Sequence, residues 1–229
     1  TFKGNLSQSN GGSLTLNMKG AGSSFDGNIV NLGGHVLLDL SGDNAYFRGS
    51  VNSFASTGMT TFRSVRTAAA GTTELRFGKS ANVYFTDNSS LAALTVGEGS
   101  EVKTAAGKKL KVSALNTGSG TTVKAAAGSA LTTGTLSAFG SLTLAAEGDI
   151  RTDKFMMAGG TIRKSGGGIT AVKEAEVARE TTLDAATTGM RFEKLSLGNS
   201  LLKNTGAADI SVNKLSSRTG GRLFLGSDA

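Results

Sequence analysis

Residues that commonly carry out catalysis are scarce in this sequence. Its 229 residues include one histidine, His35, and no cysteine. Disulfides, thiolate metal ligands and a three-histidine metal site are therefore excluded, and a nucleophile–histidine pair would have to use His35. His35 opens the alternating segment "HVLLDL", so we expect it to point inward or to lie at a corner of the coil rather than to act as a base.

The acidic residues form no pattern that demands an active site. The densest polar cluster lies at 40–50, "LSGDNAYFRGS", and its Gly, Asp and Asn content is typical of a turn. Glu98 and Glu101 lie close enough to share a turn, and Asp149 and Asp153 lie along one segment. A glycan-degrading enzyme would also need aromatic platforms, whereas the chain has two tyrosines and no tryptophan. We expect a protein that is not an enzyme and needs no metal or cofactor, with a polysaccharide-degrading enzyme as the weaker alternative.

Basic residues recur in the C-terminal half at intervals close to multiples of 20. If each interval is one coil of a repeat, these residues stack in columns with neighbours about 5 Å apart. One interpretation is a solvated face that keeps the protein soluble, with neighbouring acidic residues relieving the repulsion. The other is a basic stripe that binds an anionic polysaccharide, such as lipopolysaccharide or a glycosaminoglycan, or an acidic lipid. The predicted stripe has one column of Lys154, Lys173, Lys194 and Lys214 and a second of Lys111, Arg151 and Arg191.

The net charge of +7 permits anionic partners in general. Nucleic acid is not favoured among them, because proteins that bind single strands interleave aromatic residues with their basic groove. Here the phenylalanines fall on positions that we expect to be in the core.

The spacing of the basic residues follows from a sequence repeat, which has to be recognised before any fold is assigned. Five residues after the lead apolar residue of each unit stands a second apolar residue, except at Glu174. Because burying an unpaired carboxylate is expensive, we expect a local bulge or an outward flip at Glu174. The lead residues are Leu110, Leu131, Ile150, Ile169, Met190 and Ile210, spaced 21, 19, 19, 21 and 20 residues apart.

The N-terminal part repeats on a slightly longer period. Phe2, Phe25 and Phe47 each begin a Phe-x-Gly phrase, and they are 23 and 22 residues apart. Between residues 60 and 108 the strand-like composition continues while the register is less clear. The whole chain divides into about eleven units.

Each unit contains short segments with period-two alternation, separated by Gly-rich groups, which is the pattern of strands and turns. Helix-friendly composition occurs only at 171–180, "AVKEAEVARE", which we interpret as a strand pair. A unit of this size cannot bury its own apolar face, whereas stacked units can. The sequence therefore predicts an all-β fold: a right-handed parallel β-helix (β-solenoid) with about eleven coils of roughly 20 residues. We expect one domain over 1–229, with coils of about 22 residues in 1–70 and of about 20 residues in 89–229. Since neither end resembles a solenoid cap, we expect a fragment of a longer polypeptide.

The sequences of the coils are similar to those of a known secreted family. The phrases "TFKGNLSQSNGGSLTLNMKG" (1–20) and "ISVNKL" (210–215) resemble the β-helical passenger domains of bacterial autotransporters, in particular vacuolating-cytotoxin-like passengers. The segment "GSLTLAAEGDIRTDK" (140–154) is similar to filamentous-haemagglutinin-type exoproteins. No run of apolar residues is long enough for a transmembrane helix.

This resemblance implies export across the outer membrane to the bacterial cell surface or the extracellular medium. It also implies a non-catalytic rod that mediates adhesion, self-association or host-cell interaction, with a role in virulence. The expected partners are a host-cell surface, a glycan or another copy of the chain. The alternative is a segment of a secreted toxin that contacts a membrane or receptor. The resemblance assigns no catalytic residue, because the matching positions are structural.

Overall fold

The computed structural model describes residues 1–8, 12–31, 35–39, 45–53, 59–63, 74–185, 189–205 and 207–225, and all regular structure within these ranges is β. The strands are β1 (Phe2–Lys3), β2 (Leu6–Gln8), β3 (Ser13–Asn17), β4 (Ser24–Asp26), β5 (Ile29–Asn31), β6 (His35–Asp39), β7 (Tyr46–Ser53), β8 (Met59–Arg63), β9 (Glu74–Phe77), β10 (Asn82–Phe85), β11 (Ser89–Val96), β12 (Glu101–Thr104), β13 (Lys109–Thr117), β14 (Thr121–Ala125), β15 (Ala130–Ala138), β16 (Leu142–Ala146), β17 (Asp149–Ser165), β18 (Thr170–Ala185), β19 (Met190–Leu197), β20 (Leu201–Asn204), β21 (Ser211–Ser217) and β22 (Arg222–Leu225).

The strands stack as a parallel β-solenoid with roughly 20 residues per turn, as the repeat predicted. Every pairing between described strands is parallel and joins a strand to its counterpart one coil further along the chain. One ladder runs through eleven strand segments, in β3, β6, β8, β10, β12, β14, β16, β17, β18, β20 and β22.

Each regular coil contributes three strand segments, which define three outer faces. In the coil that starts at Lys109, β13 supplies the first face (110–113) and the second face (114–117). A corner separates them, because Ser113 and Ala114 both point outward and Ser113 is skipped in the pairing with neighbouring coils. After a turn containing Gly120, which has a positive φ of 73°, β14 supplies the third face.

The core consists of inward-facing columns that run along the solenoid. One buried column on the first face contains Leu110, Leu131, Ile150, Thr170 and Met190. Each fully buried aliphatic side chain of this kind contributes about 1.5–3 kcal/mol relative to exposure. The repeated apolar positions of the sequence are therefore the columns that hold successive coils together.

The coil around residue 170 is shifted by one residue from the expected register. Ile150 pairs with Thr170, not with Ile169, and Phe155 pairs with Ala175. Thr170 and Ala175 are buried, whereas Ile169 is exposed. Glu174 points outward, as expected. The cause is this change of register, which places Ala175 instead of Glu174 in the apolar column. The choice of Ile169 as lead residue was wrong.

The N-terminal Phe-x-Gly-Asn phrase is explained by three separate contacts between coils. The rings of Phe2, Phe25 and Phe47 stack, with centroids 5.0 and 5.1 Å apart. A Cβ on Gly27 would lie 1.7 Å from the carbonyl oxygen of Gly4, so glycine is required for this close approach. The Oδ1 atom of Asn5 accepts hydrogen bonds from the backbone N–H and the side-chain amide of Asn28, at 3.0 and 3.1 Å.

Lys164 is a basic side chain that lies inside the solenoid. Lys164 is fully buried in a third-face column between Leu144 and Ala185. Its Nζ atom donates a hydrogen bond to the carbonyl oxygen of Gly166, in the turn after β17. Burial lowers the pKa of Lys164, and the smaller attraction of Glu147 acts in the opposite direction.

Several local predictions can be compared with these strands. Residues 171–180 are strand within β18, as interpreted from the sequence. His35 is exposed at the first position of β6. The polar cluster at 40–50 lies partly outside the described residues, which omit 40–44.

Candidate functional site

The predicted column of Lys111, Arg151 and Arg191 is present on the first face. These residues occupy alternate rungs of one outward column, here called the Arg column. Rungs are about 4.8 Å apart, so Arg151 and Arg191 are separated by about 10 Å. From Lys111 onward, the Arg column is Lys111, Thr132, Arg151, Ala171, Arg191 and Ser211.

The predicted column of four lysines is not formed. Lys154 pairs with Glu174, Glu174 with Lys194, and Lys194 with Lys214. Lys173, one residue before Glu174, lies on the other side of the corner. The prediction failed because the register shifts by one residue in this coil, and a shift of one residue moves each side chain into the neighbouring column.

The register shift creates a lattice of alternating charges at the corner between the first and second faces. Each charged side chain of this lattice has opposite charges beside it, both along its own strand and on the neighbouring coil. The three successive rows of the charge lattice are Asp153 with Lys154, Lys173 with Glu174, and Glu193 with Lys194.

Contacts within the charge lattice confirm that it is partly neutralised. Lys173 contacts Asp153 directly, and Lys194 Nζ lies 3.7 Å from a carboxylate oxygen of Glu174. The hydrogen bond and charge of Asp153, with a smaller contribution from Glu193, raise the pKa of Lys173. These side chains are largely exposed, so the charge lattice contributes little to stability and is sensitive to salt.

An open groove of about 510 Å³ lies on the first face beside the charge lattice. One wall is the Arg column, and the other is the neighbouring outward column of Asp153, Lys173, Glu193 and Asn213. Val172 and Phe192 belong to its floor and point inward. The residues that line this first-face groove are Thr132, Arg151, Thr152, Asp153, Ala171, Val172, Lys173, Arg191, Phe192, Glu193, Ser211 and Asn213.

The two arginines of the groove differ in their partners. Arg151 donates a hydrogen bond to Asp149 at 2.9 Å, and this bond lowers the pKa of Asp149 although burial opposes the change. No described carboxylate lies within ion-pair distance of Arg191, which is exposed. Between them stands Ala171, which is too short to fill the space at its rung.

The acidic pair at 98 and 101 is also engaged with lysines. Lys79 contacts Glu98, and its hydrogen bond and charge lower the pKa of Glu98. Lys124 and Lys103 lie 2.8 and 3.3 Å from Glu101. Burial acts to raise the pKa of Glu101, but these two lysines together lower it. Neither carboxylate therefore has the raised pKa that a general acid needs near neutral pH.

Sequence reasoning located the basic residues of the groove but missed its shape. Ala171, a small residue between two arginines of the Arg column, was the available sequence signal for open space at that rung. A second, smaller depression of about 270 Å³ on the third face contains Tyr84 and Lys103, whose ammonium lies 5.8 Å from the ring centroid. Within the described ranges, no group of three or more His, Asp or Glu side chains is placed to hold a metal ion.

Comparison of the chain with protein-family models, with curated proteins and with solved structures finds no significant match to any of the three. Among the described residues, no helix is long and apolar enough to cross a membrane.

Proposed function

We propose that this chain is a non-catalytic rod, exported to the bacterial surface or the medium, which mediates adhesion, self-association or host-cell interaction. The observation that carries the proposal is the first-face groove. It is open to solvent, follows the rod axis across successive coils from Thr132 to Asn213, and is lined by charged and polar side chains. An open groove of this shape suits an extended partner better than a small substrate, which needs an enclosing pocket.

The carboxylates support a structural role over a catalytic one. Asp149 is paired with Arg151, Asp153 with Lys173, and Glu101 with two lysines. The resemblance of the coil sequences to autotransporter passengers supports an exported location. It also supports a partner that is a host cell, a glycan or another copy of the chain. A passenger-like rod of this kind needs no active site, because repeated coils extend a surface for contact.

The proposal is tested with the purified chain in three parallel assays. Binding to cultured host cells and to an array of neutral and acidic glycans is measured, together with self-association by sedimentation. The third assay measures release of reducing ends or unsaturated products from polysaccharides. We expect binding or self-association without turnover. Sustained turnover of a glycan would refute the non-catalytic function, and so would a monomer that binds neither cells nor glycans.

A further inference from the structure

Ala171 leaves a gap between the two arginines of the Arg column, and the three cations of the groove lie around this gap. Ala171 occupies the rung between Arg151 and Arg191. Lys173 lies two residues further along the same strand, on the opposite wall of the groove. The Ala171 methyl group leaves a notch, open to solvent, with Arg151 and Arg191 on the two adjacent rungs. Lys173 lies across the groove, where Asp153 and Glu193 flank it. We call this space the Ala171 notch.

The three cations around the notch differ in whether a carboxylate holds them in place. Asp149 holds the guanidinium of Arg151 at 2.9 Å, which restricts its position. Asp153 holds Lys173 in the same way. Arg191 has no ion-pair partner among the described residues and is exposed. Two cations of the notch are thus positioned by acids, while the third keeps its hydrogen-bonding capacity for a ligand.

The spacing of the two guanidiniums suits a single oxyanion between them. Their Cα atoms are about 10 Å apart, two rungs of a parallel ladder. Arginine binds oxyanions through parallel N–H donors at about 2.8 Å, so two arginines can approach one sulfate or carboxylate group from opposite sides. Lys173 would contact the same group as a third, point-like positive charge.

We propose that the Ala171 notch binds the sulfate groups of an acidic polysaccharide that lies along the first-face groove. Beyond the notch, the groove is lined by Thr132, Ser211 and Asn213, whose uncharged side chains can hydrogen-bond sugar hydroxyls. The apolar side chains of its floor, Val172 and Phe192, are buried. A membrane-binding surface would instead present exposed apolar groups for insertion into lipid.

This site rests on the proposed function as a binding rod and names its ligand class. The probe is a labelled, size-defined heparin oligosaccharide, and binding is measured by thermophoresis at two salt concentrations. Chemically desulfated heparin and vesicles of phosphatidylglycerol with phosphatidylcholine are the comparison ligands. The test variants are Arg151→Ala with Arg191→Ala, which removes both guanidiniums, and Ala171→Leu, which fills the notch while leaving every charge in place.

The matched control removes two exposed arginines outside the groove, Arg179→Ala with Arg218→Ala. We expect both test variants to raise the Kd for heparin about tenfold or more, because one removes charge-assisted hydrogen bonds to the sulfate and the other fills the space that the sulfate occupies. The control should stay within about threefold of the native chain. Unfolding midpoints of all variants are compared first, so that a folding defect is recognised.

The outcomes separate the site from the broader function. Equal weakening by the control, or native binding by Ala171→Leu, would show that diffuse charge and not the notch holds the ligand. Equal binding of desulfated heparin, or preference for the vesicles, would overturn the sulfate assignment. If the native chain binds cells or itself but not heparin, the notch proposal fails and the proposed function stands. If it binds none of them, the proposed function fails.

Discussion

Replacing the buried Lys164 by methionine tests how a charge is tolerated inside the solenoid. Lys164 is completely buried, and its Nζ atom donates to the Gly166 carbonyl. Methionine has a similar unbranched shape, so Lys164→Met keeps most of the packing. The Gly166 carbonyl loses this donor, which costs about 1–3 kcal/mol. Removing a buried ammonium relieves a desolvation penalty of several kcal/mol. We therefore expect a net stabilisation of about 1–3 kcal/mol at neutral pH.

The pH dependence of this gain has a definite sign. Burial lowers the pKa of Lys164 below the ordinary 10.5. Between the folded-state pKa and 10.5 the unfolded chain binds more protons than the folded chain, so stability rises with pH in that interval. Below the folded-state pKa the penalty is fully present. The advantage of Lys164→Met should therefore be largest at neutral pH and shrink as the pH rises towards 10.5.

Urea unfolding followed by far-UV circular dichroism measures both effects, with the m-value reporting any change in the surface exposed on unfolding. Lys109→Met is the matched control, because Lys109 is exposed and its replacement should change stability by no more than about 0.5 kcal/mol. A Lys164→Met chain less stable than the native chain at neutral pH would show that the hydrogen bond outweighs desolvation. A stability difference that does not change with pH would show that Lys164 keeps an ordinary pKa in the folded state.

Three further predictions address the charge lattice, the glycine contacts and the aromatic stack. Glu174→Lys places a third cation between Lys154 and Lys194 in one column and should destabilise the fold by about 1 kcal/mol at low salt. This effect should nearly disappear at about 1 M salt in urea titrations. Gly168→Ala would put a Cβ 2.0 Å from a backbone oxygen and should lower the free energy of unfolding by about 3 kcal/mol. In the control Gly167→Ala the Cβ meets nothing within 4 Å, so stability should change by no more than about 1 kcal/mol. Equal effects of the two variants in thermal unfolding would contradict the close backbone contact at Gly168. Phe25→Ala removes a buried ring that is stacked on both sides and should lower the free energy of unfolding by about 3–5 kcal/mol. Phe139→Ala, at an exposed position, should lower it by about 0.5 kcal/mol or less. Comparable losses of stability in urea unfolding would argue against a stabilising stack.

The charge lattice reduces the repulsion between like charges on successive coils. A column of like charges at a spacing of about 4.8 Å would repel along the rod. Alternation at Lys173 and Glu174 removes that repulsion at the corner of the coil. Arg191, inside the first-face groove, is exposed and has no ion-pair partner among the described residues.

Much of the architecture is predictable from the sequence, because a repeat places equivalent residues one coil apart. The recurring apolar positions, such as Leu110 and Leu131, identify the stacked strands and the core columns. The Phe-x-Gly phrase identifies the aromatic stack, since Phe2, Phe25 and Phe47 share one position in successive coils. The alternation of side chains along a strand then predicts which residues point outward, including Arg151 and Arg191.

The tertiary structure alone decided the register near residue 170 and the location of Lys164. Ile169 and Thr170 are both acceptable as the first inward residue, and only the pairing of Thr170 with Ile150 selects between them. That choice moves Glu174 in line with Lys154 and removes Lys173 from the predicted column. Lys164 stands in a strand segment just before a glycine turn, where a polar residue is expected to face solvent. Side-chain direction alternates along a strand with a period of two, so one residue more or less in a turn moves every inward side chain of the following strand to the outside. The length of the turn is fixed by contacts with the neighbouring coils rather than by local sequence.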